Sequence, residues 1–549
     1  MDIKKLVLIV TLENAIRYNG KADVNSVVSK IMGENPSLKK QIKEVIKTIV
    51  STVAEVNLLS EKEQREKLEK LRGAEPKKEK EKVEETNIFS FFKIKKGEKV
   101  VTAFPPEPSK YAHIGHAKAL LINYELAKRY NGEFVLRFED NNPELVKEEY
   151  YKNHIQDYQW LGVKWDKLDY VSDYIEEMYK QAEKLIKLNK AYTCFCSQSK
   201  IRDNRANGKE CKCRSFEPKT NLEEWKDLLK EGNYVLRLKI NVKHQNTSMR
   251  DPIIMRVVTA EHPRVGKKYR VWPTYDFATS VMDGLENITH RIRTKEFELR
   301  RELHNYIQKL LEFKPTNIYE MARFNIKGAI TSGRIIREKI EKKELSGWDD
   351  PSLTTLIALR KRGFLPEAIK NFVISTGITK TEATLSWDDL IVQNRRLLDF
   401  NSNRYFFVEN PKKIKIKNAP SLVVEVPLHP NDLKRGYRKF ETENEFYIAD
   451  KLGKNKCYRF ISLFNFKNKE FISIKLEPAL NAKLVQWLPV SKDLVNVDVI
   501  MPDNKKVTGF AEPSLKRTDI GATVQLVRFG FCKLYKKDGK KLIFYFTHK

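Results

Sequence analysis

The sequence predicts a multidomain protein in which an α/β core lies between a helical N-terminal region and an all-β C-terminal region. The chain has 549 residues, enough for three to five domains at roughly 150 residues each. Apolar residues recur at helical spacing near the N-terminus, a strand–helix–strand pattern begins near residue 97, and short β-prone runs dominate after residue 404. A hydrophobic content of 41% supports buried cores and excludes a wholly disordered chain.

Residues 1–72 are predicted to be helical. Apolar residues follow helical spacing from Leu6 to Ile16, and a second amphipathic run begins at Asn35-Pro36. Residues 73–96 are predicted to be a charged linker, because the alternating charges of KKEKEKVEET cannot be buried. A solvated single helix is the alternative, and it leaves the boundary unchanged. The run Leu6 to Val10 is too short for a secretory signal or a membrane span, and the six cysteines are too few for a disulfide scaffold. A cytoplasmic protein is therefore expected.

A βαβ unit is predicted at the start of the core. Lys99 to Phe104 is β-prone, Gly115 to Tyr130 has helical periodicity, and Phe134 to Phe138 is a second β-prone run. In such a unit the crossover helix begins at the carboxyl end of the first strand. We therefore expect ligand phosphates to bind near residues 105–115.

Changes of pattern predict the remaining boundaries. The core is expected over 97–190 and 271–325, interrupted by a cysteine-bearing insertion over 191–270 with a β-prone run from Tyr234 to Ile240. A largely helical region follows over 326–403, in which Pro351 and Pro366 are predicted to open helices. The region over 404–549 is predicted to be all-β, with short strands such as Tyr405 to Val408, Leu422 to Val426, Phe446 to Ala449 and Val524 to Phe529.

The charge balance favours a polyanionic partner. Lys and Arg number 103 against 73 Asp and Glu, a net charge of +30. This excess favours nucleic-acid binding, although lysine-rich, AT-biased genomes also produce basic proteins that have no such partner.

The strongest chemical signal is the segment 104–116, which reads FPPEPSKYAHIGH. His113 and His116 lie where the crossover helix is predicted to begin, so their side chains can donate hydrogen bonds to phosphate oxygens and carry charge as it builds there. Gly115 lets a nucleotide base approach the backbone. An isolated HxxH is more often structural, but this string directly follows a strand.

Two CxC pairs predict a metal site. Cys194, Cys196, Cys211 and Cys213 supply four thiolates, enough for a closed tetrahedral zinc site with no position left for water or substrate. Such a site is structural. Four free cytosolic thiols are the alternative.

In these segments the sequence resembles the class I aminoacyl-tRNA synthetases of the glutamyl and glutaminyl branch. The resemblance covers about 97–549. It continues through RFEDNNP at 137–143, WLG at 160–162, YRVWPTYDF at 269–277, ITH at 288–290, SGWDDP at 346–351 and NRR at 394–396. The N-terminal stretch, with YNGKA at 18–22 and AEVN at 54–57, is similar to the helical appendix of archaeal glutamyl-tRNA synthetases.

The resemblance implies a Rossmann-type catalytic domain that activates glutamate with ATP and Mg²⁺ and transfers it to the 3′ end of tRNA(Glu). Transfer to tRNA(Gln) is left open. The insertion, with structural Zn²⁺, would handle the acceptor stem, the region 326–403 would contact the tRNA stem, and two β-barrels in 404–549 would read the anticodon. The implied catalytic and ATP-binding residues are His113, His116, Ser332 and Arg334, with Gly115 in the ATP site.

The implied glutamate-binding residues are Glu139, Tyr275 and Arg293. A fixed guanidinium pairs with a γ-carboxylate through two hydrogen bonds, whereas an amide leaves it uncompensated. Arg293 therefore favours glutamate over a glutaminyl activity. An ordinary surface arginine and a core tyrosine are the alternatives for Arg293 and Tyr275.

Three positions depart from the family pattern. In the loop AITSGR at 329–334, Gly333 stands where the family has a lysine that neutralises the leaving pyrophosphate; Lys327 and Arg337 are candidate replacements. Ala103 stands where an arginine helps to hold the substrate carboxylate, and Glu139 where an aspartate contacts the α-ammonium. A second hypothesis is therefore a catalytically degraded paralogue that only binds tRNA.

Individual anticodon readers are not predicted. Arg435, Arg438, Lys439 and Arg528 are candidates either for RNA contact or for solvated charge. The aromatic rings of Tyr437 and Trp487 could either stack on bases or pack in a core.

Overall fold

The computed structural model describes residues 3–17, 20–34, 42–72, 88–92, 94–539 and 541–549. The chain divides into two compact units, Met1–Phe91 and Phe92–Lys549. The predicted helix start at Asn35-Pro36 and the charged stretch 73–87 of the predicted linker lie outside the described residues. Within the described residues, no helix combines the length and apolar character needed to cross a membrane.

The first unit is helical where it is described. Val10, Ala15 and Ile49 lie in its buried core, as their helical spacing predicts. The side-chain amide of Gln64 donates to the carbonyls of Gly20 and Val56 and so ties the last helix to the others. The helices are α1 (Ile3–Arg17), α2 (Val24–Glu34), α3 (Ile42–Val56) and α4 (Glu61–Arg72).

The second unit begins with the predicted βαβ unit. Strands β1 and β2 run parallel, with Val101 opposite Glu133, so the prediction is confirmed. Glycine is required at Gly132, because a Cβ there would collide with the carbonyl oxygen of Val100. The elements of this part are β1 (Val101–Phe104), α5 (Ile114–Arg129), β2 (Glu133–Phe138), α6 (Glu148–Trp160), β3 (Lys167–Tyr170) and α7 (Ile175–Lys187).

A four-stranded antiparallel sheet follows, in the order β4-β5-β6-β7. The predicted strand Tyr234 to Ile240 corresponds to β5. The elements are β4 (Ala191–Cys194), α8 (Gln198–Asn207), α9 (Pro218–Lys230), β5 (Val235–Leu238), β6 (Ile253–Val257) and β7 (Val271–Pro273).

The chain then returns to complete a parallel sheet with the order β3-β2-β1-β8-β9. The strand order reverses beside β1, and ligands bind at the carboxyl ends of strands at such a switch point. The added elements are α10 (Tyr275–Leu285), β8 (His290–Thr294), α11 (Arg301–Leu310) and β9 (Asn317–Met321).

Helices dominate the next segment. Pro366 opens α14, as predicted, but the prediction that Pro351 opens a helix is wrong. Pro351 lies in a turn in which the Asp350 carboxylate accepts from the amide of Ser352, and the next helix is capped by Thr355. The elements are β10 (Phe324–Ile326), α12 (Gly333–Glu341), α13 (Leu356–Arg362), α14 (Pro366–Ser375), β11 (Ala383–Leu385) and α15 (Trp387–Asn401).

The C-terminal part is all-β apart from short 3-10 turns, which confirms the predicted fold class of α/β plus all-β. The predicted strand Tyr405 to Val408 is broken in two, because the amide of Phe406 donates to the Glu512 carboxylate instead of a strand. Its halves, β12 and β13, form opposite edges of one seven-stranded sheet. The strands are β12 (Arg404–Tyr405), β13 (Phe407–Glu409), β14 (Lys412–Lys415), β15 (Leu422–Pro427), β16 (Tyr437–Thr442), β17 (Glu445–Ile448), β18 (Cys457–Phe460), β19 (Asn465–Lys467), β20 (Glu470–Ser473), β21 (Lys483–Val485), β22 (Trp487–Pro489), β23 (Val495–Ile500), β24 (Lys506–Ala511), β25 (Thr523–Leu526), β26 (Gly530–Asp538) and β27 (Lys541–His548).

Candidate active site

A cavity of about 670 Å³ opens at the carboxyl ends of β1 and β8, where the strand order reverses. Arg334 is not part of its lining: the side chain is 82% exposed and lies 3.8 Å from the Glu338 carboxylate. The other residues implied as catalytic, ATP-binding or glutamate-binding all line this one cavity: His113, Gly115, His116, Glu139, Tyr275, Arg293 and Ser332.

Two neutral histidines lie at one end of the cavity. The Nδ1 atom of His113 accepts from the amide of Gly115 at 3.0 Å, and Nδ1 of His116 accepts from the amide of His113 at 3.1 Å. Each ring therefore carries its proton on Nε2. Burial, reinforced by the nearby charge of Lys110, lowers the pKa of His113 to about 3 and holds the pKa of His116 well below its usual value. Both rings are thus neutral hydrogen-bond donors near pH 7.

Helix α6 holds the loop that precedes these histidines. His154 donates from Nε2 to the carbonyl of Lys110 at 2.8 Å, while its Nδ1 accepts from the Tyr158 hydroxyl at 2.8 Å. The side-chain oxygen of Asn153 accepts from the amide of Ala112 at 3.1 Å. These bonds position the loop before any ligand binds, and they were not visible in the sequence.

Arg293 provides a buried cation at the other end. The residue is 6% exposed, its Nη2 donates to the carbonyl of Phe297 at 3.1 Å, and its buried Nε has no hydrogen-bond partner among the described residues. No carboxylate of the described chain lies within 4 Å of its guanidinium. Burial lowers the pKa of Arg293, although the group remains a cation at neutral pH. A carboxylate ligand would satisfy both its charge and its spare donor.

A cluster of buried ion pairs adjoins this end. Asp283 accepts from Arg137 at 2.9 Å and from Arg291 at 2.5 Å, and Glu286 pairs with Arg137 at 2.5 Å. Burial alone would raise the pKa of Asp283, but the two guanidiniums hold it far below its usual value. Asp283 and the two guanidiniums therefore stay charged at neutral pH, whereas burial raises the pKa of Glu286 to about 7. Arg293 on the same strand forms no ion pair within the described part of the chain.

Glu139 and Tyr275 complete the same end. The Thr279 hydroxyl donates to the Glu139 carboxylate, and an Nη of Arg137 lies 3.6 Å from it. Burial raises the pKa of Glu139, and burial raises the pKa of Tyr275 to about 12, so the phenol stays protonated. Burial outweighs the opposing effect of the Arg137 and Arg291 guanidiniums on the pKa of Glu139. A ligand ammonium would add a further positive charge beside the Glu139 carboxylate.

Ala103 packs in an apolar cluster with Val135 and Ile288. Because Thr102 pairs with His290, Ala103 lies beside Arg291 in the sheet. Arg291 itself lines the cavity, and sequence reasoning missed it, since nothing local distinguishes it from other arginines of the basic run. The same is true of Arg256 on β6, which lines the cavity with a buried Nε that has no partner among the described residues.

Neither candidate replacement for the missing loop lysine lines the cavity. Lys327 is exposed, and Arg337 donates from Nε to the carbonyl of Gly333 at 3.3 Å. Ser332 lines the cavity as the residue preceding α12. The side chain that lies against Gly333 is instead that of Lys110.

The four cysteines converge as predicted. The Sγ atoms of Cys194, Cys196, Cys211 and Cys213 all lie within 4.8 Å of one another. Tetrahedral zinc with Zn–S bonds of about 2.3 Å needs S–S separations of about 3.8 Å, so small side-chain rotations give the required geometry. The guanidinium of Arg237 lies 3.8 Å from the sulfur of Cys194 and would offset thiolate charge. The cluster can therefore hold a metal ion.

In the C-terminal part, the structure removes two of the candidate RNA contacts. Arg438 is buried and pairs with Glu512 at 2.6 Å, so its charge is used within the fold. Trp487 is fully buried and donates from Nε1 to the carbonyl of Ile461, so it packs rather than stacks on bases. Tyr437 is 51% exposed. Of the other candidates, Arg435 and Arg528 form ion pairs at the surface and Lys439 lies 3.3 Å from a glutamate.

Comparison with known proteins identifies the family of this chain. Residues 99–400 match the family of class I tRNA synthetases (E and Q), catalytic domain, and residues 402–481 match the corresponding anti-codon binding domain. The chain is 38% identical to a glutamate–tRNA ligase of Pyrococcus furiosus and 37% identical to one of Methanocaldococcus jannaschii, each alignment covering 100% of both chains. A crystal structure of a glutamate-tRNA synthetase from Elizabethkingia anophelis is 20% identical and aligns over 55% of this chain and 71% of that chain with a TM-score of 0.40. The chain belongs to the class I tRNA synthetases of the glutamate and glutamine (E and Q) family.

Proposed function

We propose that this chain is a glutamate–tRNA ligase, which activates glutamate with ATP and transfers it to the 3′ end of tRNA(Glu). The observation that carries the proposal is the buried, unpaired guanidinium of Arg293 in the same cavity as the neutral His113 and His116 pair. One end suits a carboxylate side chain and the other suits a phosphate.

In the first step, the α-carboxylate of glutamate attacks the α-phosphorus of ATP, a new O–P bond forms, and the bond to the β-phosphate breaks. The products are glutamyl-adenylate and pyrophosphate. His113 and His116 would donate from Nε2 to phosphate oxygens as negative charge shifts among them, while Ser332 would contact the leaving group. Mg²⁺, when bound with ATP, supplies further positive charge to the phosphates. Catalysis here is positioning plus electrostatic stabilisation.

In the second step, a ribose hydroxyl at the 3′ end of tRNA attacks the carbonyl carbon of the adenylate. An ester bond forms, the bond to the phosphate oxygen breaks, and AMP leaves. The residue match to the anti-codon binding domain supports tRNA as the acceptor.

Glutamate would be selected by charge. Arg293 would pair with the γ-carboxylate, Tyr275 would line the pocket, and Glu139 would face the α-ammonium. Burial raises the pKa of Glu139 in the empty pocket, and the positive charge of the bound α-ammonium would favour the ionised carboxylate. Glutamine in the same place would leave the buried guanidinium without a counter-charge.

The four-cysteine cluster would hold structural Zn²⁺ in the insertion, through Cys194, Cys196, Cys211 and Cys213. We expect one equivalent of zinc per chain by elemental analysis and its loss in Cys211→Ser. A preparation that is free of metal yet folded and active would contradict this assignment.

The experiment that tests the function is charging of a total archaeal tRNA pool with labelled glutamate, beside labelled glutamine, with the products resolved by tRNA species. Glutamate on tRNA(Glu) is the expected result, and glutamate on tRNA(Gln) as well would extend the acceptor range. Charging with glutamine alone would contradict the proposal. Failure to charge either amino acid, with tRNA still bound, would favour the degraded paralogue, which none of the comparisons supports.

A further inference from the structure

The side chain of Lys110 occupies the space beside Gly333. A Cβ atom built on Gly333 would lie 2.8 Å from Cδ of Lys110 and 3.1 Å from its Cβ. The stem of Lys110 therefore runs along the surface that a glycine leaves open at the first position of α12. A side chain at position 333 and the present course of Lys110 are mutually exclusive without a shift.

Lys110 also belongs to the phosphate end of the cavity. It lines the cavity together with His113, His116 and Ser332. Its positive charge contributes to lowering the pKa of both histidines, which places its ammonium within electrostatic reach of their rings. Its backbone is fixed by the hydrogen bond from His154 to its carbonyl, so the side chain starts from a defined position.

The charge of the Lys110 ammonium is available to a ligand. Within the described residues it forms no ion pair with a carboxylate. Two carboxylates lie in its vicinity: Glu107 accepts from the Ser109 hydroxyl at 2.8 Å, and Glu296 pairs with Arg323. Burial lowers the pKa of Lys110, which reflects a cation that gains from the arrival of an anion.

The other cations of this end are engaged. Arg323 pairs with Glu296, and Lys118 is 4% exposed and donates to the carbonyl of Ala322 at 3.1 Å. Arg337 donates to the carbonyl of Gly333 and does not line the cavity. Lys110 is therefore the best-placed cation for a phosphate group that lies between the histidines and the start of α12.

We propose that Lys110 is a catalytic residue that contacts the β- and γ-phosphates of ATP and stabilises the departing pyrophosphate, with its ammonium brought from the β1–α5 loop to the place beside Gly333. The catalytic role of Lys110 rests on the proposed function. The contact between Lys110 and pyrophosphate does not depend on which amino acid is activated. Lys110 donates hydrogen bonds and charge, and it forms no covalent bond.

The first test is glutamate- and tRNA-dependent ATP–pyrophosphate exchange by the full-length protein. Lys110→Met keeps the apolar stem and removes the charge, and we expect it to lower kcat roughly 100-fold. The KM for glutamate should stay within about twofold, because the amino-acid end is untouched. Lys110→Arg should retain most of the activity, and the exposed Lys164→Met serves as the matched control. A Lys110→Met enzyme within about threefold of the unmodified protein would overturn the proposal.

The second test transfers the lysine from position 110 to position 333. Gly333→Lys alone should give no gain, since its Cβ meets the stem of Lys110. In Lys110→Gly that obstacle is gone, and adding Gly333→Lys should restore at least tenfold of the lost kcat, on the scale of one charge-assisted hydrogen bond. No recovery in the double variant, with both single variants folded by circular dichroism, would contradict the shared position of the two side chains.

The third test separates the inference from the function. Binding of inorganic pyrophosphate with Mg²⁺ to the full chain is measured by calorimetry, with no amino acid or tRNA present. We expect Lys110→Met to weaken it roughly tenfold and Lys164→Met to leave it unchanged. If the protein does not charge glutamate but binds pyrophosphate through Lys110, the proposed function fails and the inference stands. If Lys110→Met binds pyrophosphate as tightly as the unmodified protein does, the inference is wrong and the proposed function is unaffected.

Discussion

The two ends of the catalytic cavity handle charge in opposite ways. The amino-acid end is built from permanent buried charges: Arg293 rests above the paired cluster of Arg137, Asp283 and Arg291. The phosphate end presents two neutral histidines instead, with a single half-buried ammonium at Lys110.

The difference follows from what each end must recognise. A γ-carboxylate carries the same charge before, during and after the reaction, so a permanent cation in a dry pocket selects it. Phosphate charge is redistributed during the reaction, and donors oriented in advance stabilise the change without binding the ground state too tightly. Four predictions test this contrast.

Arg293→Gln should remove glutamate use. We expect kcat/KM for glutamate to fall by roughly 10⁴, the scale of discrimination when a buried polar group loses its partner. Steady-state charging assays measure the change, with the exposed Arg129→Gln as control. Glutamate charging that survives Arg293→Gln would show that the amino-acid end does not depend on this guanidinium.

Asp283→Asn should destabilise the fold at the amino-acid end. Removing one charge leaves Arg137 and Arg291 buried with too little compensation, and breaking such a pair costs about 3–5 kcal/mol. Urea unfolding followed by tryptophan fluorescence measures the loss, with the exposed Asp203→Asn beside it. A variant as stable as the unmodified protein would mean that the cluster is not a rigid base for Arg293.

His116→Gln should slow adenylate formation without weakening glutamate binding. Removal of one phosphate-stabilising donor costs roughly 10²–10³ in kcat. Pyrophosphate exchange at saturating glutamate is the measurement, and His244→Gln in the insertion is the control. A change confined to the KM for glutamate would argue that His116 does not act at the phosphate end.

The rate of adenylate formation should show no histidine titration between pH 6 and 8.5. Burial lowers the pKa of His113 to about 3 and that of His154 to about 4, so both rings stay neutral across this range. Because the unfolded chain binds these protons more tightly, stability should fall as pH drops from about 6.5 towards 4. Activity and urea midpoints measured across pH 4.5–8.5 check both statements. A rate that follows a single ionisation near pH 6.5 would show that a charged histidine is required.

Much of the fold could be read from local pattern. The periodicity of residues 99–138 predicts β1, α5 and β2, and the structure confirms them. The prediction for Pro351 failed because a proline at the first position of a helix and one in an Asx turn have similar neighbours in sequence. The strand at Tyr405 to Val408 was split because Glu512, far along the chain, captures one of its amides.

The amino-acid sequence alone shows which groups are chemically available: the paired histidines, the four thiols, and Arg293 in its basic run. Their spacing is local, and helix and strand geometry converts local spacing into a face or a cap. The protonation states and the partners of those groups follow from the three-dimensional packing. Burial makes His113 and His116 neutral, and pairing withdraws Arg438 into an ion pair with Glu512.

The contact of Lys110 with Gly333 is likewise a product of the three-dimensional packing. Neither residue signals the other in sequence, because they lie on different elements that meet only when the β1–α5 loop is packed against the start of α12. A missing lysine therefore reads as a defect along the chain. In three dimensions the side chain of Lys110 lies against that position, and a phosphate responds to the location of a charge and not to the segment that supplies it.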